Sequence, residues 1–173
     1  ELIEAAGKKL AELSGAEWGC VTSGACASLF AGAAGCITRD DSKKIAKLPD
    51  TTDMKNEVLV PLNHQTGYDR FLMAAGAKMV GVKTIEEMEA KANDKTAFIF
   101  VMGRRLDGES GPSIPLEEMV RVGKKYDIPV MADAAAERPD NPNPYLTAGV
   151  DLVAYSGGKY LRGPQCTGLL LGR

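Results

Sequence analysis

The stretch DLVAYSGGKY, residues 151–160, joins a short apolar run to a turn that contains a lysine. The apolar part is typical of a buried strand, and Gly157-Gly158 before the lysine indicates a turn. Open α/β proteins bind their ligands at the carboxyl edge of the sheet, where such a turn lies. The stretch therefore predicts that Lys159 places an amine at a binding edge. A lysine amine can form a Schiff base with a carbonyl cofactor, although an isolated turn lysine is more commonly a solvent-facing residue.

Short apolar runs alternate with helical patterns along the whole chain. Strands are predicted at residues 18–22, 57–60, 79–82, 97–102, 129–132, 151–155 and 167–171. Helices are predicted at residues 2–13, 23–36, 67–75 and 116–125, and another begins at Thr84, which forms a capping box with Glu87. The connections are predicted at residues 39–53, 103–115 and 137–144.

This alternation predicts an α/β fold with three layers, αβα, in which helices cover both faces of a mainly parallel sheet. Only a short turn region separates the last two strands, so that pair is the candidate for antiparallel pairing. The length of 173 residues suits one domain with its own core.

Composition excludes several partner classes. The net charge is −2, from 21 basic and 23 acidic residues, and neither a basic stripe for nucleic acid nor a polybasic cluster for an anionic membrane is present in the sequence. The sequence has no apolar stretch of membrane-spanning length and no recognisable signal peptide, which predicts a cytoplasmic protein. The chain begins at Glu1 and stops straight after an apolar strand, so we expect a fragment or one domain of a longer protein.

The four cysteines lack C-x-x-C spacing, and the single histidine, His64, is distant from all of them in sequence. A zinc site is therefore not expected. Cys20, Cys26 and Cys36 stand in apolar or small-residue runs, which predicts buried free thiols in a reducing compartment.

Small residues fill the predicted turn between the first strand and the second helix, Thr22-Ser23-Gly24-Ala25-Cys26. Such a turn lets backbone N–H groups approach a phosphate at a helix N-terminus, or it is simply a tight turn that packs well. It lacks both the G-x-G-x-x-G pattern and the Gly-Lys-Ser/Thr of a P-loop, so dinucleotides and nucleoside triphosphates are disfavoured.

Two more candidate residues follow predicted strands. Asp133 ends the run Pro129–Asp133 and is expected at the same sheet edge as Lys159, where it could hold a protonated pyridine nitrogen or merely cap a turn. The small residues Ala134–Ala136 leave room there for a flat ring. His64 lies between a predicted strand and helix, and could stack on a ring, shuttle a proton or be a partly exposed loop residue.

Ser156 and Lys159 also have the Ser-x-x-Lys spacing of penicillin-binding acyl-transferases. In that class the serine opens a helix, which Gly157-Gly158 and the nearby Pro164 oppose, and no Ser-Asp-Asn or Lys-Thr-Gly follows. That interpretation is disfavoured.

Taken together, these motifs resemble a known group. Ser23-Gly24-Ala25, His64 with Gly67-Tyr68-Asp69, Ala132–Ala135, and Ser156–Lys159 continuing through Gly163–Gln165 are similar to pyridoxal-phosphate-dependent enzymes of fold type I, the aspartate aminotransferase superfamily. The similarity is greatest to the branch that contains selenocysteine synthase (L-seryl-tRNA selenium transferase) and D-glucosaminate-6-phosphate ammonia-lyases. It extends over nearly the whole chain, in motif order.

The resemblance implies pyridoxal 5'-phosphate as the cofactor and a role for each motif. Lys159 would carry the Schiff base and shuttle the Cα proton, and Asp133 would pair with the ring nitrogen. Ala135 would lie beneath the ring and His64 over its other face. The residues implied to bind the cofactor phosphate are Ser23, Gly24, Ala25 and Ser156. Arg162 and Gln165 would shape the site or reach a neighbouring subunit.

The resemblance also implies that residues 1–173 form the cofactor-binding large domain, without the family's N-terminal segment and smaller C-terminal domain. We expect a β-eliminating lyase of the ammonia-lyase type, acting on a small hydroxyamino acid or amino-sugar acid as a homodimer or higher homo-oligomer. Two alternatives stay open: selenium or sulfur transfer to an aminoacyl substrate, and a non-catalytic α/β binding domain. Nucleic acid is not expected to bind this segment, since nothing in it is basic enough.

Overall fold

A computed structural model of the chain describes residues 1–103 and 114–173. Seven strands form one sheet in the order β1-β7-β6-β5-β4-β2-β3. The strands are β1 Trp18–Thr22, β2 Glu57–Pro61, β3 Lys78–Val82, β4 Thr96–Met102, β5 Val130–Asp133, β6 Leu152–Ser156 and β7 Gly168–Gly172.

Five neighbouring strands of the sheet are parallel, and an antiparallel strand, β7, separates them from β1. Strands β2, β3, β4, β5 and β6 pair in parallel. Strand β7 is antiparallel to both β6 and β1. The predicted mainly parallel α/β fold is confirmed, and so is the antiparallel pairing of the last two strands.

Helices cover both faces of the sheet, as the sequence predicts. They are α1 Leu2–Ser14, α2 Ala25–Thr38, α3 Ser42–Lys47, α4 Asp69–Ala74, α5 Ile85–Lys91, α6 Leu116–Tyr126 and α7 Pro144–Ala148, with a 3-10 turn at Leu62–His64. Residues of α2 and α4 share one buried cluster, and residues of α5, α6 and α7 share the other, to which Leu10 of α1 also packs. Strand β4 supplies both clusters, because alternate side chains of a strand point to opposite faces: Phe98 and Phe100 pack on the α2 side, Ile99 and Val101 on the other.

Two helices lie in segments predicted as irregular or left unassigned. Helix α3 falls within the predicted connection 39–53; the side chain of Asp41 caps it by accepting hydrogen bonds from the N–H groups of Lys43 and Lys44. Helix α7 begins at Pro144, directly after Asn143, whose side chain caps it in the same way. Both helices span six residues or fewer, which is too short to show an apolar period in the sequence.

Other boundaries shift by small amounts, and α4 begins at Asp69 rather than at Gly67. The predicted cap of α5 is present, since Thr84 Oγ1 accepts a hydrogen bond from Glu87 N at 3.2 Å. Most of the predicted 103–115 loop lies outside the described residues. None of the helices of residues 1–103 and 114–173 is long and apolar enough to cross a membrane.

The prediction of three buried thiols is wrong for two of them. Cys36 is buried, but Cys20 and Cys26 are only half-buried and Cys166 is exposed; all four are free thiols. Cys20 lies on the edge strand β1 and Cys26 in the first turn of α2, beside the cleft described below. Burial raises the pKa of the Cys36 thiol to about 12, so this cysteine is a protonated core residue at neutral pH.

Candidate active site

The carboxyl ends of three strands lie at one edge of the sheet. Strand β7 is antiparallel to both of its neighbours, so β1 runs parallel to β6 although β7 separates them. The carboxyl ends of β1, β5 and β6 therefore face the same way. All but one of the predicted site residues lie at these strand ends or in the turns after them: Ser23-Gly24-Ala25 after β1, Asp133 and Ala135 at the end of β5, and Ser156 and Lys159 at the end of β6.

Gly168, the first residue of β7, holds two of these turns side by side. It pairs with Thr22 on one side and with Ser156 on the other. A Cβ atom on Gly168 would lie 2.7 Å from Ala25 N and closer still to the backbone of Gly24. Only a residue without a side chain allows the Gly24-Ala25 turn to approach β7 this closely.

The turn after β1 presents the N-terminus of a 14-residue helix to this edge. Gly24 is the N-cap of α2, and within the described residues no side chain caps the helix. Thr22 Oγ1 donates to the carbonyl oxygen of Gly24 at 2.9 Å, which ties the turn to the strand. The first N–H groups of α2 are thus left without a side-chain acceptor at the positive end of the helix dipole, an arrangement that suits an anion.

The Ser-Gly-Gly-Lys turn is fixed by backbone hydrogen bonds to the segment that leads into β7. Gly157 N donates to Thr167 O at 2.7 Å, and Gly163 N donates to Gly157 O at 2.7 Å. A Cβ on Gly157 would collide with the Thr167 side chain, and one on Gly158 would lie 2.6 Å from the Cα of Gln165. Both glycines are therefore required by close packing, and the turn they form sets the position of the exposed Lys159.

Asp133 is buried at the end of β5, where it is only 5% exposed. Its Oδ1 accepts a hydrogen bond from Ala135 N at 3.0 Å. Burial raises the pKa of the Asp133 carboxyl above its ordinary value, and the negative charges of Glu137 and Asp69 raise it further, while the Ala135 N–H and the Lys159 charge lower it. A ligand that brings a positive charge to Asp133 would offset the cost of its burial.

A cleft of about 270 Å³ lies between these turns. It is lined by Ser23, Gly24, Ala25, Asp133, Ala135, Ser156 and Lys159, together with Cys26, Leu29, Tyr68 and Gln165. Seven residues predicted from separate parts of the sequence thus surround one space.

His64 is placed differently from the other predicted residues. It is buried at the end of the 3-10 turn after β2, and its Nδ1 accepts a hydrogen bond from Met102 N at 3.3 Å. It is not among the described residues that line the cleft. The exposed-loop alternative is excluded by its burial, whereas its role over a ring stays a prediction.

Tyr68 lines the cleft, although the sequence did not indicate a role for it. Its ring centroid lies 5.7 Å from Lys159 Nζ. It shares with His64 the segment between β2 and α4, so position along the chain could not distinguish the two. Gln165, for which a role in shaping the site was predicted, lines the cleft against Gly158; Arg162 is exposed.

One known family matches the chain over residues 2–173. The chain belongs to the aminotransferase class-V family. This assignment confirms the fold-type resemblance inferred from the motifs, and the relatives below confirm the branch within it.

Three curated relatives show how widely this aminotransferase class-V domain is used. A 5'-C-glycyluridine monooxygenase-decarboxylase from a Streptomyces species is 30% identical across 100% of this chain and 45% of its own length. The D-glucosaminate-6-phosphate ammonia lyase of Salmonella typhimurium is 29% identical across 99% of this chain and 48% of its own. An L-seryl-tRNA(Sec) selenium transferase from Actinobacillus pleuropneumoniae is 27% identical across 81% of this chain and 35% of its own. The chain thus spans less than half the length of these relatives.

Two solved structures agree with the fold. A D-glucosaminate-6-phosphate ammonia-lyase structure superposes with a TM-score of 0.91 at 28% identity, over 99% of this chain and 48% of that one. An O-acetylhomoserine (thiol)-lyase from Campylobacter jejuni that contains N'-pyridoxyl-lysine-5'-monophosphate superposes with a TM-score of 0.68 at 20% identity, which is a likeness of fold alone.

Proposed function

We propose that this chain is the cofactor-binding part of a pyridoxal 5'-phosphate-dependent lyase. The reaction is removal of the Cα proton followed by β-elimination, with release of ammonia, from a small hydroxyamino acid or an amino-sugar acid. The observation that carries the proposal is the convergence of Lys159, Asp133 and the Ser23-Gly24-Ala25 turn on a single cleft of an aminotransferase class-V domain.

The residues present suit this cofactor. A phosphate needs hydrogen-bond donors, and the first N–H groups of α2 with the hydroxyls of Ser23 and Ser156 can provide them at the cleft. A protonated pyridine nitrogen needs a carboxylate, and Asp133 is a buried one whose environment lacks a matching cation within hydrogen-bonding distance in the described residues. Ala135 leaves space for a flat ring on the same side of the cleft.

Each residue then has a chemical task. Lys159 would hold the cofactor through its amine, and Asp133 would keep the ring nitrogen protonated. When bound, pyridoxal 5'-phosphate supplies an electron-withdrawing ring that makes the Cα–H bond of an attached amino acid acidic. The free amine of Lys159 would then be available in the cleft as the base that accepts this proton. We retain the prediction that His64 covers one ring face.

Selenium or sulfur transfer is the second candidate, and the selenium transferase relative favours it. Elimination would be shared by both reactions, and they differ in whether a nucleophile or water captures the product. The lower coverage of that relative, 81% against 99% for the ammonia lyase, places the lyase first. A homo-oligomer in the cytoplasm is part of the proposal in either case.

The experiment uses the full-length protein mixed with pyridoxal 5'-phosphate. We expect visible absorbance that changes on borohydride reduction, together with ammonia and keto-acid release from hydroxyamino acids or amino-sugar acids. Lys159→Ala should lose both the absorbance and the release, whereas the matched control Lys43→Ala, an exposed lysine of α3, should keep them.

A full-length protein that takes up no pyridoxal 5'-phosphate would refute the proposal and favour the non-catalytic binding domain. Retained turnover in Lys159→Ala would refute the role of Lys159. Turnover that requires seryl-tRNA and a selenium donor, with no ammonia release, would replace the lyase with the transferase.

A further inference from the structure

The segment Thr66–Asp69 forms a tight turn that fixes the backbone of Tyr68. Thr66 N donates to Asp69 Oδ2 at 3.1 Å, and Asp69 N donates to Thr66 O at 3.2 Å. Tyr68 N donates to Thr66 Oγ1 at 3.2 Å, which closes the turn on itself. Three hydrogen bonds across four residues leave Tyr68 little backbone freedom.

Two neighbouring side chains also restrict the ring of Tyr68. It stacks on Phe71 with ring centroids 6.4 Å apart and an angle of 27° between the planes. The other partner of the ring is the Lys159 amine, whose Nζ is 5.7 Å from the Tyr68 centroid. This distance is within the range of a cation–π interaction.

The Lys159 amine has few other interaction partners in the described residues. No hydrogen bond or ion pair of Nζ is found within residues 1–103 and 114–173, and the lysine is exposed at the cleft. Its charge acts on the buried Asp133, and in the described part of the chain the ring of Tyr68 lies within cation–π distance of Nζ. A long, exposed lysine side chain would otherwise sample many rotamers in solvent.

We infer that Tyr68 is a positioning residue, whose ring keeps the Lys159 ammonium inside the cleft whenever this amine is not covalently engaged. The inference rests on the proposed function for its consequence in turnover. After Lys159 has accepted the Cα proton, the electron pair of the C–H bond stays with the substrate and Nζ is a cation. The face of an aromatic ring attracts that cation, so the lysine stays where it must later give up its proton and reattach.

The decisive measurement is a carbon–proton NMR spectrum of the cofactor-free full-length protein with ¹³C-labelled lysine. Protons beside a ring face are shifted upfield, so we expect an upfield Lys159 Cε signal, assigned by its loss in Lys159→Ala. Tyr68→Phe keeps a ring and should keep the shift, whereas Tyr68→Leu should lose it. The matched control is Tyr126→Leu, which removes the ring under Lys125, 5.0 Å from its Nζ, and should leave the Lys159 signal unchanged.

Turnover provides the second readout. An exposed cation–π contact corresponds to about a two- to fivefold effect, so kcat of loaded Tyr68→Leu should fall by about that factor while KM changes little. Tyr68→Phe should restore it. D-glucosaminate and L-serine are the substrates tested. If kcat falls in Tyr68→Leu and Tyr68→Phe does not restore it, the hydroxyl of Tyr68 has a role and the inference is overturned.

The two proposals fail in different ways. A Lys159 Cε signal without an upfield shift, or a shift that persists in Tyr68→Leu, overturns the role of Tyr68 even in an active enzyme. A protein that shows the shift but takes up no pyridoxal 5'-phosphate refutes the lyase while the contact between ring and amine stands.

Discussion

Gly168→Ala should impair cofactor binding although residue 168 does not line the cleft. The new methyl group would lie 2.7 Å from Ala25 N and closer to the Gly24 backbone, well inside the separation that real Cβ atoms accept. Neither the Gly24-Ala25 backbone nor Gly168 can move easily. The atoms that the methyl group would meet are backbone atoms, and Gly168 is paired to both β1 and β6. The Ser23-Gly24-Ala25 turn, which we propose binds the cofactor phosphate, must therefore move away from β7.

The cost can be estimated from overpacking in well-packed proteins, which is about 1–3 kcal/mol. For a chain of this size we expect the melting temperature of the cofactor-free protein to fall by about 2–12 °C. A displaced turn also presents its N–H groups less well to a phosphate. A loss of about 1.4 kcal/mol there would weaken pyridoxal 5'-phosphate binding tenfold.

The assay pairs thermal unfolding of cofactor-free protein with a titration of pyridoxal 5'-phosphate followed by visible absorbance. Gly172→Ala is the matched control on the same strand, because its Cβ would meet Leu152 Cδ2 at an acceptable 3.4 Å. Neither glycine has a left-handed backbone, so alanine introduces only the methyl group. Equal stability and equal cofactor affinity of Gly168→Ala and wild type would refute the argument that close packing positions the turn.

Three other substitutions have defined outcomes. Asp133→Asn should abolish tight cofactor uptake in the absorbance titration, since a neutral amide cannot hold a ring nitrogen in its protonated form. Asp69→Asn should raise the melting temperature of cofactor-free protein at neutral pH. Asp69 Oδ1 is buried without a hydrogen-bond partner in the described residues, and burial raises the pKa of this carboxyl. An unchanged or lower melting temperature would contradict this. Thr84→Ala should lower the free energy of unfolding by about 1 kcal/mol in urea titrations by removing the cap of α5, with no change in cofactor affinity.

Much of this fold could be predicted from the sequence because strands buried on both faces are continuous apolar runs. Residues 97–102 are such a run, and they form all of β4 except its first residue, Thr96. Helix α3 was not predicted since Ile45 is its one large apolar residue, and the cap by Asp41 needs only local geometry. Sequence patterns thus find elements that the core stabilises and miss short ones that hydrogen bonds at their ends stabilise.

The candidate site could be predicted to the extent that its residues lie at the ends of strands. Lys159, Asp133 and Ser23 each come after an apolar run, and the ends of parallel strands converge at one edge. The role of Gly168 was not predictable, because it depends on β7 entering between β6 and β1 in an antiparallel direction. Tyr68 was missed for a related reason, since only the three-dimensional fold shows which aromatic side chain in the segment after β2 approaches Lys159.

Two carboxyl groups make the stability of the cofactor-free protein depend on pH: Asp133, which lines the cleft, and Asp69, which follows Tyr68 in the chain. Asp133 and Asp69 both have pKa values raised mainly by burial. A carboxyl whose pKa is raised on folding binds its proton more tightly in the folded state, so the stability it contributes is complete at low pH. That contribution is lost as the pH rises from the ordinary value of 3.8 through the folded-state pKa.

Cofactor-free wild type should therefore lose stability with rising pH over this window, and Asp133→Asn should lose less. Without the cofactor, Asp133→Asn should therefore be the more stable protein at neutral pH. With pyridoxal 5'-phosphate, wild type should be the more stable one, because a ring cation beside Asp133 favours its ionised form. Melting temperatures of both proteins from pH 4 to pH 8, with and without the cofactor, measure this directly. If the cofactor stabilises wild type and Asp133→Asn equally at neutral pH, Asp133 is not the partner of the ring nitrogen, and the buried acid would need another explanation.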